Sequence, residues 1–166
     1  MTRPSDVAAN KPRAYTGWNG NAERITPGLE MLVRIITRRT DATLRNLGAW
    51  AVRPKRGKES PSVHGTGRAV DLGWTNRKQS LATIERLIAI ADEIGLELAI
   101  DYFPPEHGRA WRCDRNEWKN YTRHTVDGAP GGRWYHLEIS PAMANNPQAM
   151  KAALDKAFPV NPPQPS

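Results

Sequence analysis

An α+β domain built on a small antiparallel sheet is the fold class this sequence predicts, and three observations carry that prediction. Apolar residues recur at helical spacing in two long segments and again near the C-terminus. Between those segments lie short runs rich in strand formers, bounded by Gly, Pro and Asn. The 166 residues, 39% apolar, supply one core and leave no room for a second large one.

Residues 1–25 carry Pro, Gly, Asn and Thr without steady periodicity and read as an extended lead-in pinned by Trp18. Thr26-Pro27 then supplies an N-cap and an N1 proline. Leu29, Leu32, Val33 and Ile36 follow at helical spacing, predicting a helix over about 26–45 that Asn46 and Gly48 end. Gly48 to Arg53 alternates like a strand, and Pro54 to Pro61 is a polar loop. Arg68 to Gly73 reads as a short strand. Ser80 caps a second helix over about 80–94, with Ile84, Leu87, Ile88 and Ala91 inward and Gly95 as its stop.

Leu96 to Tyr102 is the next strand, and residues 103–133, with Pro104-Pro105 and a Gly-rich end, form a long irregular excursion over one face. Trp134 to Ile139 is a strand. Helical segments start at Ser140-Pro141 and Asn146-Pro147, the second carrying Met150, Leu154 and Phe158. The expected architecture has both long helices on one face of the sheet and a terminal helix closing a domain over 26–158. Pro159 to Ser166 is a Pro-rich tail or linker.

Composition narrows the function classes. The net charge of +7, from 24 Lys and Arg against 17 Asp and Glu, favours polyanionic surroundings. The basic residues are scattered rather than gathered in an arm, so a nucleic-acid partner is not expected. Cys113 is the only cysteine, which excludes an intrachain disulfide and Cys-rich zinc sites; any metal must use His and carboxylate. Residues 1–10 lack the apolar stretch of a signal peptide and no run of about 18 apolar residues occurs, so cytoplasmic synthesis and no transmembrane segment are expected.

Ser62 to Asp71 holds the chemistry. His64 on a Gly-rich turn precedes Asp71, on a strand, by seven residues, and Gly65 and Gly67 permit a backbone path that returns both to one ion. Neutral imidazole and carboxylate are standard zinc ligands, and a catalytic zinc takes three protein ligands. In Trp134-Tyr135-His136-Leu137-Glu138, strand alternation puts His136 and Glu138 on one face, and His136 is the third candidate. His107, His124 and Cys113 lack comparable partners.

These residues resemble the zinc D-alanyl-D-alanine carboxypeptidases and L-alanyl-D-glutamate endopeptidases, a family whose fold is shared with the hedgehog signalling domain. Its hallmark, Ser-x-His-x-x-Gly-x-Ala-x-Asp, is met by Ser62, His64, Gly67, Ala69 and Asp71, and His136 after Trp134 matches its third ligand in a late strand. The resemblance spans about Gly48 to Ser140. It implies a hedgehog/D-Ala-D-Ala peptidase-like fold, one Zn2+ on His64, Asp71 and His136, and hydrolysis of peptidoglycan peptides as a carboxypeptidase or endopeptidase. The loop from Gly108 to Tyr121 looks similar to wall-lytic enzymes of bacteriophages. It further implies an upstream arginine, Arg53, on a substrate carboxylate or carbonyl, with Ser62 hydrogen-bonding near the site.

One departure matters. The family carries a Glu or Asp three residues before the third ligand, as the general base; here that residue is Arg133, whose guanidinium stays protonated near neutral pH. Replacement candidates, in order, are Glu138, Asp127, Glu106 and Asp101, while Arg133 is itself suited to clamp a carboxylate. Glu138 has an equal alternative as support for His136, and Asp127-Gly128 the alternative of a simple turn. Trp111, Trp118 and Tyr121 are expected to fill a small core, and Trp74 either walls the pocket or packs beneath it. The expected function is therefore a zinc-dependent peptidase acting as a monomer on the anionic cell wall, delivered by another factor as an endolysin or carried on a virion. The alternative is a non-catalytic zinc-containing module that binds cell wall or protein.

Overall fold

The computed structural model describes residues 9–40, 43–55 and 60–160. Six strands form one open antiparallel sheet: β1 (Leu44–Gly48), β2 (Ala69–Trp74), β3 (Leu96–Asp101), β4 (Arg109–Arg112), β5 (Glu117–Asn120) and β6 (Trp134–Ile139), in the order β1-β2-β6-β3-β4-β5. The helices are α1 (Pro27–Arg38), α2 (Arg77–Ala89), α3 (Ala91–Ile94), α4 (Pro141–Ala144) and α5 (Pro147–Ala157). The α+β class and the antiparallel sheet agree with the sequence reading. No helix among the described residues is long and apolar enough to cross a membrane.

Strand alternation divides the sheet into two faces. Val70, Leu72, Ala99, Trp111, Tyr135, Leu137 and Ile139 meet Leu29, Leu32, Ile36, Ile84, Leu87, Met150 and Leu154 from the helices in one core. Each such buried aliphatic or aromatic side chain contributes about 1.5–3 kcal/mol of transfer free energy. On the opposite face Leu98, Ile100, Tyr102 and Ala110 form a smaller cluster beside Asp71, His136 and Glu138. With helices covering only the first face, the second is left to build a site.

Several boundaries differ from the sequence reading. Helix α1 stops at Arg38 instead of about 45, because Leu44 to Gly48 pairs with β2, Leu44 opposite Trp74 and Gly48 opposite Asp71. Thr37 and Thr40 return their hydroxyls to the carbonyls of Val33 and Ile36, a contact that weakens helix continuation. The expected strand from Gly48 to Arg53 is thereby displaced into β1. Residues 49–53 instead cross the His64 turn, with Ala51 N–H donating to His64 O (3.4 Å) and Ser62 N–H to Arg53 O (3.0 Å).

Helix α2 starts at Arg77, capped by Asn76 Oδ1 accepting from Gln79 N–H at 2.9 Å, and not at Ser80. Ser80 is buried inside the helix, its hydroxyl 2.9 Å from Tyr135 Oη. The segment expected to run to 94 breaks at Ile90 into α2 and α3, and Gly95 (φ 68°) ends α3. Residues 103–133 hold the β4–β5 hairpin, whose alternation puts Trp111 opposite Trp118 on the core side and Ala110 opposite Lys119 on the site side. Ser140 and Asn146 cap α4 and α5 as expected, accepting from Met143 N–H and Ala149 N–H.

The lead-in is ordered over the described residues, but Trp18 is not its anchor. That indole is 43% exposed and donates only to Asn21 Oδ1. The segment is tied by Arg13 to Asp92 and to Leu96 O, by Thr16 to Glu97 (3.0 and 2.9 Å), and by the buried Arg68 guanidinium, which donates to Gly17 O and to Ile139 O. Residues 1–8, 41–42 and 56–59 and the tail from 161 to 166 lie outside the described residues, so most of the expected Pro-rich tail and part of the polar loop go without a structural account.

Candidate metal centre

The turn that carries His64 is a single 3-10 turn, Val63–Thr66. Ser62 Oγ accepts from His64 N–H (3.3 Å), and Thr66 Oγ1 donates to Val63 O (2.6 Å) while accepting from Arg68 N–H (3.1 Å). Gly67 closes the turn at φ 74°, in the left-handed region that favours glycine, and an added Cβ would lie 2.5 Å from Arg24 O. Thr26 binds the same place, its N–H (3.0 Å) and hydroxyl (2.8 Å) both donating to Gly67 O, so the start of α1 is fastened to the turn.

Strand β2 leaves this turn and runs antiparallel to β6, with Asp71 directly opposite His136. The turn folds His64 back over that pair. His64 Nε2 lies 3.2 Å from Asp71 Oδ2, and His136 Nδ1 lies 2.9 Å from Asp71 Oδ1. One ligand atom from each of the three lies within 4.8 Å of the others, a spread that one cation can span, and they form the one such group of His, Cys, Asp or Glu found among the described residues. The two imidazoles meet edge to face, with centroids 5.0 Å apart.

The second nitrogen of each ring is already engaged. His64 Nδ1 lies 2.6 Å from Ala49 O, and His136 Nε2 lies 3.4 Å from Glu138 Oε2. Backbone carbonyl and carboxylate partners of this kind fix ring orientation and tautomer in metal-binding histidines. Burial opposes protonation of His136, but hydrogen bonds with Asp71 and Glu138 outweigh it and raise its pKa to about 9. Burial likewise disfavours the Asp71 charge, yet its hydrogen bonds to His136 and His64 hold its carboxyl below the ordinary 3.8. The donor set fits a divalent metal, whose binding would take the place of hydrogen between the imidazoles and Asp71.

The triad sits in a cleft of about 820 Å³. Among the described residues six cations line it, Arg53 and Lys55 beside the His64 turn and Arg112, Arg115, Lys119 and Arg123 on and after the β4–β5 hairpin, together with the carboxylates Asp71, Asp127 and Glu138. Tyr102 stacks on Trp134 (3.6 Å between centroids) along one wall.

The residues singled out in the sequence fall in different places. Arg53 and Ser62 line the cleft, Ser62 as the cap of the turn. Asp127 lines it too, on the loop between β5 and β6, where its Oδ1 is 3.2 Å from His124 Nε2. Glu138 is buried behind His136, on the ring nitrogen away from Asp71. Arg133 is exposed, lies over Trp74 at 6.0 Å, and is outside the cleft lining, as are Glu106 and His107. Asp101, 0% exposed, accepts both Arg77 NH groups at 2.8 Å and Arg109 Nε at 3.1 Å. Trp74 packs in the helix-side core, edge to face with Phe103. Trp111 is in that core with Trp118 against it, while Tyr121 faces the cleft; Cys113 is buried and donates to Arg13 O.

Sequence reasoning missed Tyr15 and the Ala49 carbonyl. Tyr15 Oη donates to Glu138 at 2.6 Å from Oε1, and no spacing rule connects a lead-in tyrosine to a strand 123 positions later. No family model matches the chain, and no curated protein and no solved structure matches it.

Proposed function

We propose that the protein is a zinc-dependent peptidase that cleaves stem or cross-link peptides of peptidoglycan, on a hedgehog/D-Ala-D-Ala peptidase-like fold. The observation that carries the reading is the convergence of His64, Asp71 and His136, three separate points of the motif resemblance, on the floor of a cation-lined cleft. These three residues would hold the ion, and zinc bound there would lower the pKa of a water toward ~7 and polarise a peptide carbonyl.

The chain's own groups supply the rest. With Arg133 lying against Trp74 outside the cleft, Asp127 is the carboxylate best disposed to take a proton from the attacking water and return it to the leaving amine. Glu138 orients His136, and the Ala49 carbonyl orients His64. Arg53 holds a substrate carboxylate at the mouth. The basic lining suits the anionic wall, as does the role of an endolysin delivered by another factor or of a virion component.

The second reading, a zinc-containing module that binds wall or protein without cutting, is favoured by one observation, the arginine at position 133. Mass spectrometry of stem peptides incubated with zinc-loaded protein separates the two. A new fragment is expected that disappears on chelation and in His64→Ala; intact peptides beside stoichiometric bound zinc would overturn the peptidase and leave the binding module.

A further inference from the structure

We propose that Tyr15, on the N-terminal segment, is a positioning residue of the metal centre: it clamps Glu138 and, through Glu138, fixes the orientation of His136. The proposal rests on the reading of His64, Asp71 and His136 as metal ligands.

The geometry begins at Glu138, 1% exposed on the site face of β6. A carboxylate this buried needs donors. It has the Tyr15 hydroxyl at 2.6 Å from Oε1 and 3.1 Å from Oε2, and the His136 imidazole, whose Nε2 lies 3.4 Å from Oε2. An ionised carboxylate only accepts, so the imidazole nitrogen facing it must carry hydrogen. Nδ1, the nitrogen on the Asp71 side at 2.9 Å from Oδ1, is then the one that would give up its hydrogen and present its lone pair to a cation. The tyrosine hydroxyl is 0.5 Å nearer Oε1 than Oε2, which leaves Oε2 as the oxygen directed at His136. Without that donor the carboxylate can rotate about its terminal torsion, which is soft.

Tyr15 is itself held in place. The Arg112 guanidinium lies over its ring at 4.8 Å, and its neighbours are fastened on both sides by Arg13 to Asp92 and Thr16 to Glu97. Its ring also packs against both apolar clusters. A structural role would belong to the ring and to the segment, whereas the proposed role belongs to the hydroxyl alone, and the two are therefore separable.

The test measures zinc affinity by competition with a chromophoric chelator, together with the visible spectrum of the cobalt-substituted protein. Wild type is expected to bind one zinc. Tyr15→Phe, which keeps the ring, is expected to weaken binding about tenfold or more and to shift the cobalt bands. Glu138→Gln should weaken it as well, and adding Tyr15→Phe to Glu138→Gln should cost nothing further. Thr16→Val, which removes one tie of the segment to Glu97 without touching Glu138, should keep wild-type affinity. Wild-type affinity and spectrum in folded Tyr15→Phe would overturn the proposal, as would additive losses in the double variant or an equal loss in Thr16→Val. No zinc bound by wild type would instead overturn the metal centre itself, and this proposal with it.

Discussion

Replacing Gly67 by alanine tests whether the His64 turn is held by backbone constraint. Two costs are separable in the structure. Gly67 sits at φ 74°, and a Cβ there would approach Arg24 O to 2.5 Å and Thr26 N to 3.1 Å, both backbone atoms that cannot swing aside. The left-handed conformation costs a non-glycine residue about 1–2 kcal/mol. Forcing a methyl into a filled space adds about 1–3 kcal/mol. The sum, about 2–5 kcal/mol, corresponds to a fall in Tm of roughly 5–15 °C for a domain of this size. Gly131 provides the control, because it has φ 84° with nothing within 4 Å of its Cβ, so Gly131→Ala bears only the conformational cost. Thermal unfolding of both variants by circular dichroism, followed by zinc titration of each at 20 °C, is the assay. Gly67→Ala is expected to be the less stable by about 1–3 kcal/mol and to lose zinc affinity, because relieving the clash moves the His64 turn away from Arg24 and the Thr26 cap of α1 that is fastened to it. Equal unfolding temperatures with unaltered zinc binding in both would refute the reasoning.

Two further outcomes follow from groups around the sheet. Asp101→Asn leaves the guanidinium groups of Arg77 and Arg109 without their shared carboxylate; both are partly exposed, so the loss is expected at about 2–3 kcal/mol, below the range for a fully buried pair, with zinc affinity unchanged. Urea unfolding measures the first part, and a loss of zinc affinity would contradict the placement of Asp101 on the helix side. In chelator-treated protein His136 keeps its proton to about pH 9, against an ordinary 6.5, so its stabilisation is whole below 6.5 and is lost as pH rises through 9. Asp71 and Glu138 are held below their ordinary 3.8 and 4.5, so theirs is present above those values and lost in acid. The urea midpoint of the metal-free protein is thus expected to be highest between pH 4.5 and 6.5 and to fall as the pH rises from 6.5 to about 9, and a flat midpoint across that range would refute the coupling.

The parts of the fold legible in the sequence are those fixed by local chemistry. Proline at N1 of α1, α4 and α5, glycine after α3, and the alternation through β2, β3 and β6 each act within a few residues, and each appears where the pattern put it. What was misread depends on long-range pairing. Leu44 to Gly48 continues a helical apolar pattern, yet the free edge of β2 takes it as a strand. Trp111 and Trp118 lie in a stretch whose prolines and glycines signal a loop, although Arg-Ala-Trp-Arg and Glu-Trp-Lys-Asn alternate and pair. That His64, Asp71 and His136 come together was legible because the turn and both strands were; Tyr15 and the Ala49 carbonyl were not, since they reach the site only after the chain has wrapped.

That wrapping separates two roles that the sequence could not separate for Glu138. Two residues beyond His136 on one strand face, a carboxylate can serve either the reacting water or the ring beside it. The structure gives Glu138 a buried position, a tyrosine donor and the far nitrogen of His136. On the proposed reading a group so enclosed serves the ring beside it, and Asp127, half exposed on a loop rich in glycine, would be the carboxylate that exchanges protons in the cleft. On the proposed peptidase reading, the arginine at position 133 stands where the resemblance leads one to expect the base, and the loop before β6 would supply the carboxylate that the strand does not.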